Sequence, residues 1–483
     1  MADGASERNR MTTLDIPLIV RGQVIETDMQ LFEGRSGGVN FRAPDLTRHL
    51  AKLPTSAQSL ADLYEISLDE IIDFMAEVAA RLDFDTNPHL KAAFELSSQT
   101  SNLTPSILER VYRNFATSWT REAICRFVDV QIGREYLESW VPHDLGEGRV
   151  LNVRAYGARA VHVIAGNSPG IAFMTILRTA LTRSDSIIKL PSNDPVTTIA
   201  IMRTMIDVDP DHPVTRHLSA AYWKGGDERV EAAIYQPRNI EKIVAWGGFA
   251  SITHITRYLQ PGIDLITLDP KHSGSIIGPE ALESDESVEE VAKLAAHDIG
   301  SMNQELCANA RVLYVVCDER DPKQMAQLNR LGERILAALQ ELPPAISTVA
   351  KEVNPELQEQ LAGIALQDDF YKLYRTPNDR AGAVVVSQMN EVVEFSAILS
   401  KRTANLVPVP TIEDALKRIT AASQTLGVYP DALKLKIRGA LALQGAQHIK
   451  SLGKFTQMGA IGPQDGLQVE RRMLKWIRDM QVA

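Results

Sequence analysis

The chain has 483 residues, 45% of them hydrophobic and 23% charged, with a formal net charge of −10. That length is too great for one simple core and predicts two or three domains. The acidic balance, with no dense Lys/Arg run, argues against a nucleic-acid backbone as partner. The lack of any 18-residue apolar run argues against a membrane span. The three cysteines, Cys125, Cys307 and Cys317, form neither a disulfide framework nor a Cys-x-x-Cys zinc pair, which fits a reducing cytoplasm and predicts no metal site. Met1 to Thr13 is polar and lacks an apolar signal core.

Residues 1–12 read as a disordered lead, and Leu14 to Glu26 as strand-like. From about Pro54 to Gly133 the pattern is mostly helical. Ser67 with Glu70 forms a capping box, and Leu68, Ile71, Ile72, Met75, Ala79 and Leu82 then recur at helical spacing. Near Val150 the character changes. Ala160 to Ala165 is a short apolar run, followed by Gly-Asn-Ser-Pro-Gly and a helical pattern over Ile171 to Leu181. Ser186 to Leu190 is a second strand, with a helix over about Pro195 to Ile206. Ile243 to Trp246 is a third, ending in Gly247-Gly248, with a helix from about Ala250 to Leu259. Asp264 to Leu268 is a fourth. Short buried strands alternating with helices predict a parallel, doubly wound α/β sheet, whose ligands sit at the carboxyl ends of the strands.

A second alternation follows from near Pro270. A helix runs from Ser287 to about His297, a strand from Val312 to Val316, and a long helix from Pro322 to Leu342. Ala383 to Val386 is a strand and Ile412 to Ser423 a helix. The tail carries Gly462-Pro463-Gln464-Asp465-Gly466 and an amphipathic end around Leu474 and Ile477.

Some of these residues carry chemistry beside a plainer reading. Cys317 ends the run VLYVVC and Cys125 sits in a helical pattern; both read as small buried hydrophobes. Cys307 follows the polar SMNQEL and precedes a strand, the kind of setting a reactive thiol needs. Asn167 is either a turn former or an amide donor to an oxyanion. Gly247-Gly248 is a weak signal for close approach of a pyrophosphate. Lys189 closes a strand, either solvated or facing a cofactor. His162 reads as a core histidine. His297, ten residues before Cys307, would make a Cys/His acyl hydrolase only if the fold brought the two together.

The order of these features resembles the aldehyde dehydrogenase superfamily. VHVIAGNSPG with ALTRSDSIIKLPSNDP resembles its strand, Asn-x-Pro loop, helix and lysine-bearing strand. IVAWGG resembles its turn over the pyrophosphate, LITLDPKHSGSIIG its Glu-Leu-Gly-Gly-Lys segment, and NQELCANARV its cysteine segment. AGNSPG, Gln304 three before Cys307, RTANLVPV at 402–409 and the GPQDG motif are more similar to the LuxC-type acyl-CoA reductase branch, over about 135–480.

The resemblance implies a Rossmann-type nucleotide domain and a second α/β catalytic domain. Residues 1–134, outside the resemblance, read as a helical region packed on the nucleotide domain; the expected divisions beyond it are a nucleotide domain 135–269, a catalytic domain 270–450 and a tail 451–483 that is a candidate for oligomerisation. The resemblance makes Cys307 the nucleophile. Asn167 and the Cys307 backbone N–H become oxyanion donors. Lys189 takes the adenosine ribose, and Gly166, Gly247 and Gly248 lie by the dinucleotide. Ser192 stands where many NAD-specific members carry a Glu, which points to NADPH, with NADH the alternative. Thr267 stands where hydrolytic members keep a general-base Glu, which favours reduction of an acyl thioester over aldehyde oxidation. An oxidative or CoA-acylating aldehyde dehydrogenase is the alternative, and an inactive acyl carrier a further one. The superfamily's Glu-Phe-Gly-Pro motif is not visible near 395–405. An acyl-CoA or related thioester, an acyl-activating synthetase and a second copy of the chain are the implied partners.

Overall fold

The computed structural model describes residues 14–34, 39–454, 459 and 461–482. The lead expected over residues 1–12 lies outside them. The chain forms two compact units. One comprises residues up to Ser101 with Val111–Leu268 and Val469–Ala483; the other comprises Asn102–Arg110 with Asp269–Gln468.

The first unit is built on a seven-stranded sheet. Its order is Asp264–Leu268, Lys242–Trp246, Arg159–Val163, Asp185–Lys189, Leu218–Ala221, Leu18–Val20, Gln23–Ile25. The first five strands are parallel and the last two antiparallel. Val161, Ile187, Ile188, Ile243 and Val244 are buried, as strands covered on both faces require. Each such side chain contributes roughly 1.5–3 kcal/mol by leaving water. The covering helices include Gly170–Leu181 and Thr197–Val208, both lined with buried residues. The predicted capping box at Ser67 and Glu70 is present and opens the helix Leu68–Arg81. The strand-like stretch near Leu14 resolves into short strands, two of which extend this sheet.

The chain enters the parallel sheet at Arg159–Val163, moves outward through Asp185–Lys189 and Leu218–Ala221, and then returns to the other side at Lys242–Trp246. The direction of winding therefore reverses between the Arg159 and Lys242 strands. That reversal opens a crevice at their carboxyl ends. The tail strand Lys475–Val482 belongs to a separate antiparallel sheet with Arg149–Tyr156 and Val141–Asp144.

The second unit has its own seven-stranded sheet: Tyr371–Arg375, Ala383–Ser387, Thr403–Val409, Ala310–Val316, His272–Ile277, Ser423–Tyr429, His448–Ser451. All neighbours are parallel except the first pair. The helices Asp285–Gly300 and Pro322–Glu341 pack their apolar faces on it with Leu313, Val315 and Leu406. One expected element is corrected. The helix predicted over Ile412 to Ser423 ends at Lys417, and Ser423 opens a strand. A run of small and polar residues, TAASQT, hid that boundary, because it carries neither period. No helix among the described residues is long and apolar enough to cross a membrane.

Candidate active site

In the first unit, the predicted cofactor residues all lie at the carboxyl edge of the sheet. Gly166 and Asn167 follow the Arg159–Val163 strand and precede the helix Gly170–Leu181. Gly247 and Gly248 follow Lys242–Trp246 and precede the helix Phe249–Thr256. These two loops flank the winding reversal. A Cβ on Gly166 would stand 2.3 Å from Asn193 Oδ1 and 2.9 Å from a Pro191 ring carbon, so this loop touches the turn that carries Ser192. Gly248 is the N-cap of its helix, with no side-chain cap, and a Cβ there would meet nothing within 4 Å. An uncapped helix start beside open space suits an anionic phosphate. Lys189 ends its strand with Nζ 5.3 Å from the Trp223 ring centroid and 5.9 Å from that of Tyr222. Burial pulls its ammonium down to about 8, against the opposing charge of Glu231. A lysine so enclosed is poised for a polar ligand group. These residues fit a dinucleotide. Thr267 sits one residue before the end of Asp264–Leu268.

Cys307 belongs to the second unit and lies at the amino end of a strand, Ala310–Val316. It is reached by an unusual turn. Beyond the helix Asp285–Gly300, three consecutive residues take left-handed backbone: Met302 (φ 54), Asn303 (φ 53) and Gln304 (φ 62). None is glycine, so each costs of order 1 kcal/mol or more and must be held by its surroundings. Three buried amides do so. Asn303 Oδ1 accepts from the Thr348 backbone N–H at 2.7 Å. Gln304 Nε2 donates to the carbonyls of Ala310 and Thr403, both at 2.9 Å, and its Oε1 accepts from the Thr403 N–H at 2.9 Å. Asn309 Nδ2 donates to the Ser301 carbonyl at 2.9 Å, while its Oδ1 accepts from the Leu306 N–H at 3.0 Å. Ser273 Oγ donates to the Cys307 carbonyl at 2.7 Å.

The Cys307 residue is exposed at the surface of its unit. Protein crowded behind it still raises the thiol, and the charge of Asp465 adds to the rise. Opposing this are a hydrogen bond from Gln424 Nε2 to Sγ at 3.2 Å and the backbone N–H groups of Cys307 and Ala308. The net shift is upward. Arg311 is partly buried nearby, its charge favoured by Cys307 and Glu305 against burial. Glu305 pairs with Lys401. Asp465 Oδ1 accepts from Gln424 Nε2 at 2.6 Å, and the Asp465 backbone N–H donates to His448 Nε2 at 3.2 Å.

Cys317, Cys125 and His162 fall outside this group. Cys317 is buried in the apolar core of the second unit. Cys125 is half-buried on the helix Arg121–Gln131, with Arg134 and Arg121 nitrogens 3.5 and 3.7 Å from its sulfur. His162 is a core histidine, 1% exposed, with Nε2 3.1 Å from Ser186 Oγ; burial and Arg178 push it down to about 3. Among the described residues the one side chain hydrogen-bonded to the Cys307 sulfur is Gln424, so the sulfur has no histidine partner there. Gln424, Ser273 and Asn309 were not singled out by sequence reasoning, because isolated polar residues at strand ends carry no period. Asp465 fell inside a noted motif without an assigned role.

The fold matches solved aldehyde dehydrogenases along nearly the whole chain. An indole-3-acetaldehyde dehydrogenase complexed with NAD+ gives a TM-score of 0.71 at 13% identity, covering 98% of each chain. Lactaldehyde dehydrogenase from Escherichia coli gives 0.69 at 13%, covering 98% of this chain and 100% of that one. An NADP-dependent glyceraldehyde-3-phosphate dehydrogenase from Bacillus halodurans complexed with NADP gives 0.67 at 11%, covering 97% and 100%. The class is thus an aldehyde dehydrogenase fold with a Rossmann-type nucleotide unit. Residues 63–476 match the family model described as acyl-CoA reductase (LuxC), and the chain belongs to that family of aldehyde-forming oxidoreductases. A long-chain acyl-protein thioester reductase from Photorhabdus laumondii is 31% identical over 358 residues, 72% of this chain and 69% of that protein. One from Vibrio harveyi is 24% identical over 472 residues, 96% and 92%.

Proposed function

We propose that the protein reduces a long-chain acyl thioester to its aldehyde through an acyl group held on Cys307, using NADPH. The observation that carries this reading is an exposed thiol three residues beyond a left-handed turn locked by buried amides, in a chain of the acyl-CoA reductase family. The relatives, named as long-chain acyl-protein thioester reductases, support a long acyl chain carried as a protein thioester, and the family description supports coenzyme A as a carrier.

The thiol gives up its proton and Sγ attacks the thioester carbonyl. The Sγ–C bond forms, the donor's C–S bond breaks, and the departing thiolate takes a proton. Asn167 and the Cys307 N–H serve as donors to the intermediate oxyanion. Gly166, Gly247, Gly248, Lys189 and Ser192 hold the dinucleotide, which supplies a hydride to the acyl carbon when bound. The thiohemiacetal on Cys307 then collapses to aldehyde and thiolate. Ser192 in place of a carboxylate leaves room for a 2′-phosphate without charge repulsion, which favours NADPH over NADH. Thr267 brings no carboxylate to activate water, so the acyl group waits for hydride. We read the assembly as at least a dimer, because the tail strand Lys475–Val482 ends its sheet with Ile477 and Met480 exposed. An acyl-activating synthetase is the natural supplier of the thioester.

The test is a single turnover. Labelled long-chain acyl-CoA is incubated with the protein, and NADPH is then added. Label attaches to the wild type and leaves as aldehyde; it does not attach to Cys307→Ala. Equal labelling of the variant, or release as free acid, would overturn the proposal.

A further inference from the structure

We propose that Gln424 is a second catalytic residue, whose carboxamide N–H holds the Cys307 thiolate, and that Asp465 is the positioning residue that aims it. The proposal rests on the reading of Cys307 as the acyl carrier and adds how its sulfur is held.

One nitrogen makes both contacts. Gln424 Nε2 is 3.2 Å from Cys307 Sγ and 2.6 Å from Asp465 Oδ1. A primary amide has two N–H donors on that nitrogen, one for each partner. The carboxamide could otherwise present its oxygen to the sulfur, and the two ends have nearly the same shape. Asp465 removes that ambiguity. An ionised carboxylate only accepts, so it bonds the nitrogen end and repels the oxygen end. The contact is charge-assisted and enclosed, since Asp465 is 8% exposed.

Asp465 is itself held in place. It takes a left-handed backbone conformation (φ 51) in a turn closed by paired backbone bonds between Gln464 and Leu467. Its N–H donates to His448 Nε2 at 3.2 Å, and His448 stands on the edge strand His448–Ser451. Gln424 stands on the adjacent strand Ser423–Tyr429, paired in register with it. The chain His448, Asp465, Gln424, Cys307 therefore runs across two neighbouring strands and the GPQDG turn to the sulfur.

Such a clamp has work at two points of the proposed cycle. A thiolate must form before attack on the thioester, and a thiolate leaves when the thiohemiacetal collapses. A donor on Sγ favours the charged sulfur both times without being able to deliver water. The charged groups that Cys307 meets are Asp465, which disfavours its thiolate, and Arg311, whose own charge Cys307 favours. Glu305 is held by Lys401. Asp465 thus acts in two opposed ways, through its charge and through the amide it orients.

That opposition makes the proposal testable on the full chain without any acyl substrate. Cys307 is alkylated with iodoacetamide across a pH series, and the Cys307 peptide is quantified by mass spectrometry apart from those of Cys125 and Cys317. Gln424→Met keeps side-chain length and removes the donor; its alkylation midpoint should rise by about one pH unit, the scale of one charge-assisted hydrogen bond. Asp465→Asn is made in both backgrounds. In Gln424→Met it removes only the charge, and the midpoint falls. In the wild type it also frees the amide, so the fall is smaller or reversed. Equal falls in the two backgrounds, or an unmoved midpoint in Gln424→Met, would overturn the clamp. If these shifts appear while labelled acyl-CoA never attaches to Cys307, the acyl-carrier reading fails and the clamp stands. If acyl transfer proceeds and the shifts are absent, the clamp alone fails.

Discussion

Gln304 is the buried keystone of the turn before Cys307, and Gln304→Glu perturbs it with almost no change of shape. The native amide donates to two carbonyls and accepts one N–H, each at 2.9 Å, at a residue 2% exposed. A carboxylate keeps the acceptor toward Thr403 and turns the donor into an anion facing the Ala310 and Thr403 carbonyls. A protonated carboxyl still donates its O–H to one of the two carbonyls and leaves the other unsatisfied, so the neutral loss alone is about 1–3 kcal/mol. The charge is avoided by protonation, so the introduced carboxyl must have a raised pKa in the folded state. A raised folded-state acid is protonated while the unfolded chain is ionised. Its stability penalty therefore grows as pH rises from the unfolded value near 4.3, at about 1.36 kcal/mol per unit, until the folded value is passed. Urea unfolding at pH 5 and pH 8 reads this directly. The midpoint gap between wild type and Gln304→Glu should widen markedly at pH 8, while the gap for Gln304→Leu stays constant. A gap for Gln304→Glu that does not change with pH would refute the view that Gln304 is enclosed among backbone acceptors.

Two further substitutions probe other parts of the framework. Lys450 pairs with the buried Asp298 at 2.5 Å, and burial raises that carboxyl despite the lysine. Lys450→Met should lower stability by about 3–5 kcal/mol at neutral pH, because the charge is left alone. The raised acid is tolerated best in its protonated form, so the loss should shrink as pH falls toward 5, measured as the unfolding midpoint. Ser192→Glu should raise the KM for NADPH by about tenfold or more through repulsion of the 2′-phosphate while lowering that for NADH, with kcat little changed; steady-state kinetics with both cofactors check it.

The parallel sheets were legible because fully buried strands read as short apolar runs: SIIK, KIVAW and AVVVS stand out against their helices. The antiparallel tail was not, since Lys475–Val482 is half-buried only at Lys475 and Trp476, is exposed from Ile477 to Gln481, and mixes apolar with charged residues, so it reads equally as an amphipathic end. The carboxyl-edge rule located the loops of the first unit, yet Cys307 lies at the amino edge of its own sheet. Its neighbours come from strand starts at Ser273 and Gln424 and from a turn 158 positions downstream of Cys307, at Asp465. Side chains that converge from strand starts share no local pattern. The thiol could be found by its segment, but its surroundings needed three dimensions.

Those surroundings bear on the choice between hydride and water. A thioester on Cys307 is hydrolysed only if a base lies where water can reach the acyl carbon. Among the described residues, the one carboxylate joined to the sulfur's hydrogen-bond network is Asp465, and it is already engaged by Gln424 and held in its turn. A carboxylate occupied by an amide is a poorer base for water, and the amide it directs can give a hydrogen bond from its nitrogen but take no proton there. On the proposed reading, the network that steadies the sulfur is the same one that withholds a base from its acyl group. Asp465→Asn therefore leaves the slow hydrolysis of the acyl-enzyme unchanged while altering the thiol, whereas a carboxylate restored at Thr267 (Thr267→Glu) speeds release of free acid. Acid release from labelled Cys307 without cofactor measures both, and slower release from Asp465→Asn than from the wild type would show Asp465 activating water and sink the argument.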